Sequence, residues 1–238
     1  MILAMLEIPL ERLALSLLPL VVVGWISFRW VNKTSELLLS TARMVVQLLL
    51  VGYVLVLLFK VENVWAGLGV VAFMVLVSSW IAVRTVKDGR MKFYGDAVLA
   101  VGVGGGLILA LVLLGVMGLD PWYQPKYVIP IAGMIFSNAM TAVTLSSERF
   151  MAERLGGKSV VEARNVAWNA SLIPQVNAFL AVGLVSLPGM MTGQILAGAS
   201  PLDAVRYQIM VMAMVMGSAG FAVAIFLTRM VRREGVSA

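Results

Sequence analysis

The chain has 238 residues, 61% of them hydrophobic and 13% charged, against roughly 25% charged in a soluble domain; too little polar surface is present to cover a globule in water, so lipid must be the solvent for much of it. It contains no cysteine and no histidine, which excludes disulfides, zinc sites, thiol nucleophiles and imidazole bases together. In a membrane chain the net charge of +6 reads as basic cytoplasmic loops rather than as a nucleic-acid surface.

The opening, MILAMLEIPLERLALSLLPL, places Glu7 and Glu11 ahead of Arg12 and has no A-x-A site, unlike a signal peptide. Residues 1–238 read as one membrane domain. Apolar spans of about 17–25 residues, enough to cross roughly 30 Å of hydrocarbon, are predicted at 10–28, 37–59, 65–83, 96–117, 127–147, 171–198 and 204–228. The fold class is therefore all-α, a polytopic membrane protein with about seven helices. Pro19 interrupts the first span and Glu11 lies near its start.

Thirteen of the eighteen Lys and Arg residues fall in one set of connections, from Arg29 through Arg84, Arg90 and Arg149 to Arg233. Four, Arg12, Lys60, Lys126 and Arg206, fall in the opposite set, and Arg43 sits within the second span. The positive-inside rule then places the N-terminus outside and the C-terminus in the cytoplasm. Trp30, Trp80, Tyr94 and Trp168 fall near inner ends of spans. Trp65, Trp122, Tyr123, Tyr127 and Tyr207 fall near outer ends, as interfacial belts do.

In the fourth span Gly102 and Gly106 form a G-x-x-x-G pair. The pair serves close helix approach, or it reflects only the frequency of glycine in membrane helices. In the fifth span Gly133, Ser137 and Thr141 recur every four residues, with Asn138 and Thr144 beside them. Such a stripe packs against a helix or faces a cavity.

The connection 148–170 alternates in sign through Glu148, Arg149, Glu153, Arg154, Lys158, Glu162 and Arg164. Gly157-Lys158-Ser159 is no Walker A motif, because Ala152 stands where its first glycine belongs and no strand precedes it. Gly156-Gly157 divides the connection, and Ser159 is placed to cap a short helix over 160–169 whose apolar side chains lie between the charges. That helix either docks in a groove of a soluble partner or lies solvated at the interface. The twelve acidic residues fall at span ends or in connections. A self-contained proton carrier needs an ionisable group at mid-membrane, so the energy is expected from a partner ATPase. Substitution of Glu162 by Arg is expected to leave folding intact and uncouple that partner.

The sixth span, Ser171 to Gly198, has 28 residues, about 42 Å of helix. Pro188-Gly189 should break it, leaving Met190 to Ala197 as a half-helix or re-entrant turn that makes the best gate. Pro174 is placed to kink the inner end. Irregular backbone at membrane depth survives only where protein or a water-filled cavity satisfies it. Polar groups available to a translocation path are Gln47, Asn138, Thr141, Gln175, Asn177, Thr192, Gln194 and Gln208, with soft sulfur from Met190 and Met191. Thioethers suit Cu(I) better than iron. At the head of the last span, Ser200-Pro201-Leu202-Asp203 reads as a helix cap.

The runs IPIAGMIFSNAMTAVTLSSERF, SLIPQVNAFLAVGLVSLPGMMTGQILAGASPLDAVRYQIMVM and ARMVVQLLLVGYVL resemble the permeases of the Fet-type iron-export family, which includes the plant aluminium-sensitive (ALS/STAR) proteins. The match runs from about Ser40 to the end. It implies the membrane subunit of an ABC transporter in the cell membrane, with no cofactor of its own and with ATP and Mg on a separate nucleotide-binding subunit. A second copy of the chain is an expected partner, and nucleic acid is not. In that family the connection carries an EAA-like coupling segment, which Glu162-Ala163 matches at its start, with Glu153, Arg154 and Arg164 around it. Trp168 stands where that segment's turn has glycine. The path or gate falls to Gln47, Asn138, Thr141, Gln175, Asn177, Pro188, Gly189, Met190, Met191 and Gln194. The rival readings are a facilitator that needs no ATP and a membrane scaffold. An enzyme is not expected, since no nucleophile–base pair is visible.

Overall fold

A computed structural model of the chain describes residues 9–31, 35–60, 63–86 and 89–234. Glu7, Lys33, Glu62, Lys87 and Asp88 lie outside these residues. Among the described residues the chain is helical, with no named strand, and forms two compact units, Met1–Val61 and Glu62–Ala238.

The first unit holds α1 (Leu10–Leu15), α2 (Leu18–Val31) and α3 (Ser35–Leu58). The Ser16 hydroxyl donates to the Leu13 carbonyl at 2.6 Å, and the chain restarts so that Pro19 falls in the first turn of α2, where its missing N–H costs nothing. Helix α3 has no buried residue; leucines exposed on every side are stable where lipid is the solvent.

The second unit holds α4 (Val64–Ala82), α5 (Arg90–Ala110) with a π-helical continuation (Leu111–Val116), α6 (Pro125–Leu155), α7 (Val160–Ala181), α8 (Gly189–Leu196) and α9 (Pro201–Arg233). Helix α9 packs against α5, α6, α7 and α8, and α6 also contacts α4, α5 and α7. Phe136 and Phe150 of α6 and Phe226 of α9 are fully buried in the shared core. Tyr123 is buried too, because its ring lies where a side chain on Gly67 would stand.

Among the described residues six helical stretches are long and apolar enough to cross a membrane: Glu11–Val31, Ser35–Leu58, Val64–Ala82, Arg90–Val116, Pro125–Leu155 and Pro201–Arg233. The protein is a polytopic all-α membrane protein. The predicted span 171–198 takes another form. Helix α7 starts in the charged connection, runs through Trp168 and Pro174, and ends at Ala181. Val182 turns to φ −63°, ψ 130°, Gly183 takes φ +80°, and Pro188 holds ψ at 139° before the eight residues of α8. The break predicted at Pro188-Gly189 is present, and it begins six residues earlier because the left-handed Gly183 ends α7.

The glycines that let helices meet are not the predicted pair. A Cβ on Gly106 would meet nothing within 4 Å, and one on Gly102 would reach only a Val75 methyl at 3.4 Å. On Gly104 it would lie 2.7 Å from the Ala222 nitrogen, and on Gly105 2.8 Å from the Phe136 ring.

Candidate functional site

One end of the second unit collects the start of α5, the end of α6, the start of α7 and the end of α9. Asp96, six residues into α5 and at the end of the predicted span 96–117, is nevertheless buried, at 1% exposed. Arg229 Nε donates to its Oδ1 at 2.6 Å and Arg233 Nε to its Oδ2 at 2.5 Å. Arg233 also donates to the Lys92 carbonyl at 3.0 Å. Both arginines lie at the C-terminal end of α9, where positive charge complements the helix dipole. The carboxylate is occupied in joining α5 to α9 near the helix ends, so it is not a free mid-membrane proton carrier. Nearby, Arg90 donates to the Trp80 carbonyl at 2.6 Å and stacks 3.8 Å over its ring, joining α4 to α5.

The α6–α7 turn holds its charges locally. Glu153, 12% exposed, pairs with Arg149 at 2.5 Å and Lys158 at 2.6 Å. Arg154 donates to the Lys158 carbonyl at 2.7 Å and pairs with Glu234 at 3.0 Å, tying the turn to the end of α9. Gly157 turns the chain at φ +86°. Ser159 then caps α7 as predicted: its Oγ accepts from the Glu162 N–H at 3.3 Å, and its own N–H and Oγ donate to the Glu162 carboxylate at 3.0 and 2.6 Å. Arg164 donates to Asn165 Oδ1. Ala163 is fully buried on the stripe Val160, Ala163, Ala167, Ser171, Gln175 that faces the core.

The Ser159 side-chain and backbone hydrogen bonds hold the Glu162 carboxyl below its ordinary pKa of 4.5. A depressed carboxylate stabilises the fold above its ordinary pKa and loses that contribution as the pH falls. Acidification from neutral should therefore lower the melting temperature of the wild type more than that of Glu162→Gln. Ser159→Ala should cost about 1 kcal/mol and Ser159→Gly only a few tenths, read as a shift in the melting temperature of the detergent-solubilised protein.

The path candidates are spread over several elements. Gln47 is exposed on α3 of the first unit. On α6 half-buried Asn138 donates to the Met134 carbonyl at 2.8 Å, and exposed Thr141 donates to that of Ser137 at 2.9 Å. On α7 Gln175 is 4% exposed with no partner for its Oε1, and Asn177 is exposed. On α8 Thr192 donates to the Pro188 carbonyl at 3.1 Å, and Gln194 Oε1 is buried without a partner. Pro188, Met191 and Gln208 come together. They line a cavity of about 450 Å³ between the α7–α8 break and α9, whose wall includes Phe179, Gly183 and Met212. Gly189 opens α8, and half-buried Met190 packs on the core beside it.

Residues 10–164 and 155–234 match the family described as Uncharacterised protein family (UPF0014). The chain belongs to the UPF0014 family. It is 37% identical to the probable iron export permease protein FetB of Escherichia coli (strain K12), over 92% of this chain and 90% of that one. It is 34% identical to UPF0014 membrane protein slr1647 of Synechocystis sp., over 82% and 81%. With Protein ALUMINUM SENSITIVE 3 of Arabidopsis thaliana the identity is 33%, over 78% and 72%. No solved structure matches the chain.

Two features of this UPF0014 chain are absent from the sequence reading. Leu155, between Arg154 and Gly156, is 90% exposed at the tip of the α6–α7 turn, with Val161 exposed nearby. An apolar residue inside a charged run was the available signal. The Asp96 clamp joins residues 133 and 137 positions apart and left no local signature.

Proposed function

We propose that this UPF0014 chain is the permease subunit of an ABC transporter in the cell membrane, exporting a metal ion and driven by a separate cytoplasmic ATPase that holds ATP and Mg. Iron is the cargo favoured by the name of the Escherichia coli relative. The observation that carries this reading is the continuity of α7, from the capped turn at Ser159 to the break at Val182. A single helix with one end in a charged turn and the other at a backbone break acts as a lever. Displacement of the turn by a partner moves the break at the far end, through a helix whose one interior proline is Pro174. The partner's grip falls on Leu155 and Val161, since Glu153, Arg154 and Glu162 are engaged within the turn. Two copies of the chain would meet two ATPase subunits.

Isolation of the chain from its native membrane in mild detergent should bring down a P-loop ATPase in stoichiometric amount. Leu155→Asp should lose it while keeping the wild-type melting temperature, and Glu162→Gln, which preserves the capping box, should retain it. A chain that comes down alone and conducts metal in liposomes without ATP would replace this reading with that of a facilitator.

A further inference from the structure

The cavity beside the α7–α8 break combines three observations. Among its lining residues Gln208 of α9 is the one polar side chain; the rest, among them Phe179, Pro188, Met191, Met212 and Ala213, are apolar. Gln208 is 6% exposed, and its buried Oε1 has no hydrogen-bond partner among the described residues. A buried amide oxygen left unpaired is costly. The surrounding chain has no charged residue from Asn165 to Leu202, and Leu184 and Val185 at the break are 89% and 85% exposed. Side chains so apolar and so exposed are covered by hydrocarbon or by protein rather than left in water, and the cavity lies beside them.

We propose that this cavity binds a lipid-soluble molecule carrying a single hydroxyl, taken from the bilayer. Its apolar body lies against Phe179, Pro188, Met191 and Met212, and its hydroxyl meets the Gln208 amide. A hydroxyl both donates and accepts, so it satisfies the amide in either orientation of that group. A bare hydrocarbon offers the Gln208 amide no hydrogen bond, and a charged ligand finds no counter-charge in the wall. The volume of about 450 Å³ lies in the range of small-molecule sites, about 300–1,000 Å³. The ligand sits where α7 ends, at the break that α7 would move, and the site does not depend on how transport is powered.

The full-length protein in lipid nanodiscs is photolabelled with a diazirine-bearing hexadecanol and, separately, with the matching hexadecane probe, and the labelled peptides are mapped. The alcohol should concentrate on peptides spanning Phe179 to Ala213 and be competed by unlabelled hexadecanol. Gln208→Leu should cut alcohol labelling there about two- to tenfold, the worth of one neutral hydrogen bond, and leave the hydrocarbon unchanged. Ala213→Phe, which fills the cavity, should remove both signals. Equal labelling by the two probes, an even spread over the exposed faces of α3 and α4, or alcohol labelling indifferent to Gln208→Leu would overturn the proposal. So would absent labelling together with efficient cross-linking between two Leu184→Cys copies, which would assign the cavity to a second chain.

Discussion

Replacing both Arg229 and Arg233 with methionine should lower the stability of the protein by about 3–5 kcal/mol, the cost of leaving a buried charge without its partner. The asymmetry of burial sets the size. Asp96 is 1% exposed, whereas each arginine side chain is 45% exposed. Truncating the arginines strands a carboxylate that water cannot reach. Asp96→Asn alone strands two guanidinium groups that can still be solvated, and should cost less, about 1–2 kcal/mol. Combining Asp96→Asn with the double arginine change should recover most of the loss, because no buried charge then remains. Thermal unfolding of the four proteins in one detergent checks this. If the triple variant were no more stable than the double, the clamp would not be the source of the effect.

The second large effect is at α5 and α9. Gly104→Ala should cost about 1–3 kcal/mol, the range for overpacking, because its Cβ would stand 2.7 Å from the Ala222 nitrogen and 3.0 Å from its Cα. Backbone cannot move aside as a side-chain tip can, so the helices must separate. Gly106→Ala, two residues on, meets open space and should be neutral or gain up to about 1 kcal/mol from helix propensity. Melting temperatures of the two variants, measured together, decide the matter: equal shifts would mean that α5 does not present this face to α9.

The two glycines show where legibility ends. G-x-x-x-G marks a helix able to approach another closely, but which of five glycines touches depends on rotation about the helix axis. A rotation of about 100° per residue separates a clash from open space. The span 171–198 was half legible. Pro188 acts through its own φ and missing N–H and can be read locally, whereas the continuity of α7 across the connection and the span depends on packing against α6 and α9. Glu162 was legible as a helix-capping residue because Ser159 lies three positions before it. Its role toward a partner was not, since the carboxylate is occupied within its own turn.

The sequence by itself determined that the chain is helical and lies in a membrane, where its helices are capped at Ser159 and Ser200, and where the backbone breaks near Pro188. These are matters of composition and of interactions within four residues, and both survive without knowledge of the neighbours. Only the tertiary structure decided that Asp96 is clamped by α9, that Gly104 and not Gly106 bears the helix contact, that Leu155 stands exposed at the turn and that Gln208 faces an apolar cavity. Each depends on how one helix is rotated and placed against another more than a hundred residues away or across a turn. That geometry is set by the summed packing of the whole core, and no short stretch of chain contains it.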